Sequence, residues 1–213
     1  MWESLFPGFR PGLVSGDADL ARAEAELGFA LPETFKSLCR TLGAGRIGGQ
    51  TGGQGGDQGG GQAGGLRVFT PVPVEAADLV MRADLIAHSV AAALAALSAA
   101  GTPHAFRVED ARAERTADPG LLERACFFAE TEGGDFPFFD VTPGFPEYDV
   151  WVLGADLETV RFGGHDLAAF LRAVMSLEVL DVLGEDASPL APVFLGDDAD
   201  ALARLGGDRG DAT

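Results

Sequence analysis

Positive charge is scarce in this 213-residue chain: one lysine, Lys36, and fourteen arginines stand against 33 acidic residues, giving a formal net charge of −18. Such a field repels phosphate backbones and anionic lipid surfaces, which argues against nucleic acid or membrane as a direct partner. It suits a basic protein partner, or it serves solubility alone. Cysteine is nearly absent. Cys39 and Cys126 lie far apart in apolar surroundings and read as buried free thiols, which fits a reducing compartment better than a structural disulfide does. Long apolar runs are missing. The longest, Leu85–Ala100, is alanine-rich, contains His88 and is short for a membrane span. The opening MWESLFPGFRPG has neither the basic region nor the apolar core of a secretory leader, so a cytoplasmic location is expected.

Other absences narrow the chemistry. The three histidines, His88, His104 and His165, are scattered, and only His165-Asp166 puts a second ligand type beside one. That is no metal-ligand spacing, so neither metal nor cofactor is expected. No G-x-S-x-G elbow occurs, and thiols on apolar faces are poor nucleophiles. The shortage of lysine beside abundant alanine and glycine is what a GC-rich bacterial coding sequence produces.

What is present centres on 124–162, RACFFAETEGGDFPFFDVTPGFPEYDVWVLGADLETVRF. Four apolar runs, Ala125–Glu130, Phe136–Val141, Tyr148–Leu153 and Leu157–Phe162, alternate with turn signals at Gly133-Gly134 and Gly154-Ala155-Asp156. They predict four consecutive antiparallel strands. Phe138 and Phe139 must point to opposite faces, as must Val150 and Trp151, so both faces need covering.

Before this stretch, 18–27 and 32–42 predict a helical hairpin, with Asp17 and Pro32 at the two starts and Gly28 and Gly43 at the two ends. Residues 1–16 are expected to pack without forming an element. Leu66–Val72 reads as a strand. Val74–Ala100 reads as helix, broken near Ala83-Asp84, with Leu79, Val80, Ile86, Val90, Leu94 and Leu97 buried, and Gly101-Thr102-Pro103 stops it. Ala105–Glu109 reads as a short strand. After the four strands, GGHDLAAFLRAVMSLEVL predicts another helix started by His165 or Asp166. The fold class is α/β (α+β): a single domain over 1–180, with a mainly antiparallel sheet of four to six strands and helices around it. Within it, 44–65 is a glycine-rich insertion expected to be flexible. A phosphate-cradling loop is a poor fit there, since no Lys-Ser or Lys-Thr follows. Residues 181–213 read as an acidic, partly disordered tail that admits one or two capped helical turns over Asp197–Leu205, ended by Gly206-Gly207.

The carboxylates Glu130, Glu132, Asp135 and Asp140 admit three readings: a solvated hairpin, an acid–base pair as in glycosidases, or a docking surface for a cationic protein. One resemblance favours the last. AEAELGFALPETFKSL, then CFFAETEGGDFPFFDV, a V-W-V strand and a D-L-A-A-F-L helix resemble, in that order, the Smi/Knr-type members of the SUKH superfamily. The matching residues are Glu24, Leu27, Gly28, Leu31, Pro32, Phe35, Lys36, Leu38, Phe127, Gly133, Gly134, Asp135, Phe138, Asp140, Val150, Trp151, Phe170 and Leu171. The usual Asn-Gly-Gly is Gly43-Ala44-Gly45 here, and Leu167 replaces an aromatic. The resemblance implies a non-catalytic module. In bacteria it would be an immunity protein that binds a cognate toxin such as a nuclease or deaminase; otherwise it would be a regulatory or scaffold protein with an endogenous partner. On that basis Glu130, Glu132, Asp135, Glu147, Asp149 and Trp151 are the expected partner-binding residues. A carboxylate-based hydrolase is the third possibility.

Overall fold

The computed structural model describes residues 1–48, 65–100, 107–109 and 120–207, without the side chains of 97–98, 107–109 and 205–207. The glycine run of the insertion, the Gly101–Pro103 stop, His104, residues 110–119 and 208–213, and the side chain of Leu97 lie outside them.

Pro137 decides how the strands divide. The four-strand stretch forms β4 (Ala125–Phe127), β6 (Phe136–Asp140), β7 (Val150–Leu153) and β8 (Thr159–Gly164), antiparallel in that spatial order. The next pair in the β4–β6 register is Phe128 opposite Pro137. Phe128 N–H donates to the Pro137 carbonyl at 3.1 Å, but proline has no N–H to return. The Phe128 carbonyl accepts instead from Phe69 N–H at 2.9 Å, outside this sheet. The run expected as one strand over 125–130 therefore splits. Its second half, β5 (Ala129–Thr131), pairs with β2 (Leu66–Val68).

The result is two sheets. One has the order β5-β2-β1-β9, where β1 is Gly45–Ile47 and β9 is Phe194–Gly196, all antiparallel. The other is β3-β8-β7-β6-β4, with β3 (Arg107–Glu109) joining β8 in parallel. The α+β class with mainly antiparallel pairing stands. β1 carries only three residues and no recognisable alternation, so sequence pattern did not reveal it.

Helices cover the larger sheet as its two-faced pattern requires. Phe139 stacks on Phe128 at 4.2 Å between ring centroids, and Phe35 and Phe170 join that cluster edge-on. Phe35 comes from α3 (Glu33–Thr41) and Phe170 from α5 (Leu167–Val174). Phe138 points the other way, to Phe127 at 5.4 Å. α4 (Leu79–Ala99) packs against β4, burying Leu79, Ala83, Ile86 and Val90. It runs unbroken through Ala83-Asp84, because nothing there interrupts the backbone ladder and alanine favours helix. By length and composition α4 could cross a membrane, a test that core helices of soluble proteins also pass.

The ends depart from expectation. The N-terminal segment does form an element, α1 (Trp2–Leu5), which buries Trp2. Gly16, not Asp17, caps α2 (Asp17–Leu27); Asp19 accepts from Gly16 N–H at 2.8 Å while Asp17 pairs with Arg40. Beyond 180 the chain continues through α6 (Val179–Leu183) and β9, and α7 (Ala199–Gly207) forms where a short capped helix over 197–205 is expected. Phe194 and Leu202 are buried, so these few apolar residues hold an otherwise acidic segment on the body as far as 207.

Candidate protein-binding surface

Of the six residues expected to bind a partner, the five acids fall at two ends of the β6–β7 ladder, and Trp151 lies within it, opposite Phe138. Gly133 and Gly134 make the β5–β6 turn, with Gly134 at φ +89°. Asp135 closes this turn, its carboxylate accepting from the Thr131 hydroxyl at 2.9 Å. The same carboxylate accepts from Ala155 N–H at 3.1 Å, tying the β5–β6 tip to the β7–β8 tip. Glu130 and the exposed Glu132 lie at this end too. Glu147 and Asp149 belong to the connection at the far end, four or five residues along the strands, or roughly 15 Å at strand rise.

At the far end the acids have structural duties. Glu147 accepts from Thr34 N–H at 2.9 Å and from the Thr34 hydroxyl, satisfying the N-terminus of α3. Asp149 meets Nδ1 of His165 at 3.0 Å. Asp166, not His165, caps α5 through Ala169 N–H at 2.7 Å. Trp151 is 4% exposed and packs edge-on against Phe162, so it belongs to the core.

Between α4 and the tied hairpin tips lies a cleft of about 480 Å³. Arg82, Leu85, Ile86, Ser89 and Val90 line one wall, at the i, i+3, i+4, i+7, i+8 spacing of a single helix face. Gly134, Phe136, Ala155 and Leu157 line the other, with Glu130 at one end. The walls are mostly apolar. Glu130 accepts from Arg82 at 2.6 Å, and the Arg82 guanidinium sits 4.9 Å above the Phe69 ring, so the charges within the cleft neutralise each other.

Leu157 is the only described non-glycine residue with positive φ, at 56°. The left-handed region costs a leucine about 1–2 kcal/mol. The turn imposes it: Leu157 N–H donates to the Gly154 carbonyl, and Asp156 accepts from Glu158 N–H, Thr159 N–H and the Thr159 hydroxyl. Burial alone would raise the Asp156 pKa. Those hydrogen bonds and the charge of Arg161 outweigh burial and hold it below the ordinary carboxylate value.

The acids offered for acid–base chemistry do not converge here. Asp140 is held by Arg124 at 2.7 and 3.2 Å, away from the cleft, and Glu130 is the one carboxylate among the lining residues. Both thiols are buried and free; burial raises their pKa values, that of Cys126 to about 12. The arrangement is therefore an apolar groove with its internal charge compensated, bordered by acids in neighbouring turns. No signal short of the tertiary packing pointed to α4 as one wall.

A comparison with curated proteins gave no match. The family model for the SMI1 / KNR4 family (SUKH-1) matches residues 16–173, from the start of α2 to the last turn of α5, and the chain belongs to that family.

Proposed function

We propose that this protein is a non-catalytic binding module that neutralises a cognate bacterial toxin, such as a nuclease or deaminase, by direct contact in the cytoplasm. Membership of the SUKH-1 family together with the net charge of −18 carries this reading. A nuclease needs cationic surface to hold phosphates, and an acidic body of this kind is complementary to it. The site chemistry supports binding over catalysis: at the hairpin end Asp135 is engaged in turns and Glu130 in an ion pair, and they do not oppose each other across a cleft.

The test is co-expression with the product of an adjacent gene in a sensitive host. Rescue of growth, with a stoichiometric complex on size-exclusion chromatography, is the expected result. A toxic neighbour that the protein neither binds nor suppresses would refute the reading. A chain whose gene has no toxic neighbour, and which instead forms a stable complex with a host protein, would establish the regulatory class.

A further inference from the structure

α4 is apolar enough to pass for a membrane span, yet only 28% of Leu79–Ala96 is buried. A helix that is apolar all round normally has cover all round. The core covers one face, through Leu79, Ala83, Ile86 and Val90. On the opposite face Met81, Leu85, His88, Ala92, Ala95 and Ala99 follow one another at alternate steps of four and three residues, and all six are exposed. That alternation is the seam of a two-helix coiled coil.

Charge and size together decide what fits the seam. Leu85 opens the longest stretch of the chain without Asp, Glu, Lys or Arg, and that stretch takes in the rest of α4. Two chains of net charge −18 repel each other over most of their surfaces, and an uncharged helix is where they can meet. The order of side chains suits a copy running the opposite way. A two-fold axis level with Val90 sets Met81 against Ala99 of the copy, Leu85 against its Ala95 and His88 against its Ala92. Every large side chain then meets an alanine, which lets the helices approach closely. Asp84, the acid on the flank, falls opposite Ala96 of the copy. The two Asp84 carboxylates stand about 18 Å apart along the seam, beyond a Debye length of about 8 Å.

We propose that α4 is the interface of a homodimer, in which two copies pair antiparallel through Met81, Leu85, His88, Ala92, Ala95 and Ala99. This goes beyond the toxin reading and does not depend on it. A seam about 27 Å long is small beside a standard interface of about 1,600 Å², so the dimer is weak and reversible.

Sedimentation equilibrium on the full chain, from about 10 μM to 1 mM, should show a monomer–dimer equilibrium. Added salt should strengthen it by screening like charge, whereas binding to a basic partner would weaken. Leu85→Glu should weaken dimerisation at least tenfold, with an unchanged thermal midpoint in dilute solution. Leu85→Cys/Ala95→Cys should give a disulfide-linked dimer on mild oxidation, and neither single variant should. The two positions lie about 15 Å apart on one helix, too far for a disulfide, and meet only between copies. Cys39 and Cys126 are buried and do not compete. A chain monomeric at the top concentration, a dimer indifferent to Leu85→Glu, or equal cross-linking by Leu85→Cys alone would each overturn the proposal. So would a wild-type chain that stays monomeric but binds zwitterionic vesicles, or that loses toxin rescue in Leu85→Glu; these outcomes assign the face to a membrane or to the toxin. A wild-type dimer whose Leu85→Glu variant is monomeric and still rescues supports both ideas, and a wild-type dimer that fails to rescue leaves the toxin reading alone refuted.

Discussion

At Glu147 a single carboxylate joins two distant parts of the chain. It satisfies the start of α3 from 113 positions away, a contact that no local capping motif encodes. Glu147→Ala should cost about 1 kcal/mol, the usual worth of a helix cap, seen as a lower urea midpoint with an unchanged slope. Asp166→Ala should cost a similar amount through α5. Leu157 behaves differently. Leu157→Asn removes a partly buried leucine but also relieves a left-handed strain of about 1–2 kcal/mol, so its stability should stay within about 1 kcal/mol of wild type. A loss well above that in urea titration would show that the leucine is there for the core. Cys126 gives a pH signature. The fold favours its neutral thiol, so that contribution is intact below the ordinary thiol pKa, roughly 8.5, and disappears as pH rises toward about 12. Wild type should therefore lose stability relative to Cys126→Ala across that window, and the gap should be flat below it.

At the scale of elements, the crossing at Phe128 and the return of β9 matter most. Phe128 is fully buried where the chain passes from one sheet to the other, stacked on Phe139 and edge-on to Phe35 and Phe170. Phe128→Ala should cost about 3–5 kcal/mol and expose surface in both sheets, measured as a lower thermal midpoint. β9 closes the edge of β1, and just after it Asp197 pairs with Arg67 at 3.0 Å. Burial pulls the Arg67 pKa down, but the partner carboxylate keeps it charged. Asp197→Ala leaves the half-buried Arg67 with only the charge of Glu130 to offset it and should cost about 1–3 kcal/mol. Adding Arg67→Met should recover most of the loss. If the double variant were no better than the single one, the damage would lie in the Asp197 backbone contacts to Leu13 and Ala44 instead.

Across the whole molecule, charge and shape act on different parts of an encounter. A net charge of −18 should speed association with a basic partner at low salt, and the rate should fall steeply as the Debye length shrinks to about 8 Å at physiological ionic strength. Dissociation, set by short-range contacts, should change little. The helical hairpin, the β6–β7–β8 ladder and α5 were all legible in the chain, because each is a local period bounded by a glycine, proline or acidic cap. The family could be read for the same reason, its motifs being those local elements in order. The division into two sheets was not legible, although its cause, a proline with no N–H to return to Phe128, is present in the sequence. Nor were β1 and β9, three residues each, whose partners lie far along the chain.

The sequence alone determined sign and rhythm: an acidic chain, paired helices, phenylalanines facing both ways and tight glycine turns, all set by neighbours within a few positions. Only the tertiary structure decided which carboxylates are free. Glu130, Asp135, Glu147 and Asp149 look alike in the chain, yet one meets an arginine, one ties two turns, one caps a helix and one meets a histidine. Those partners come from other elements, and packing, not composition, brings them within hydrogen-bond reach.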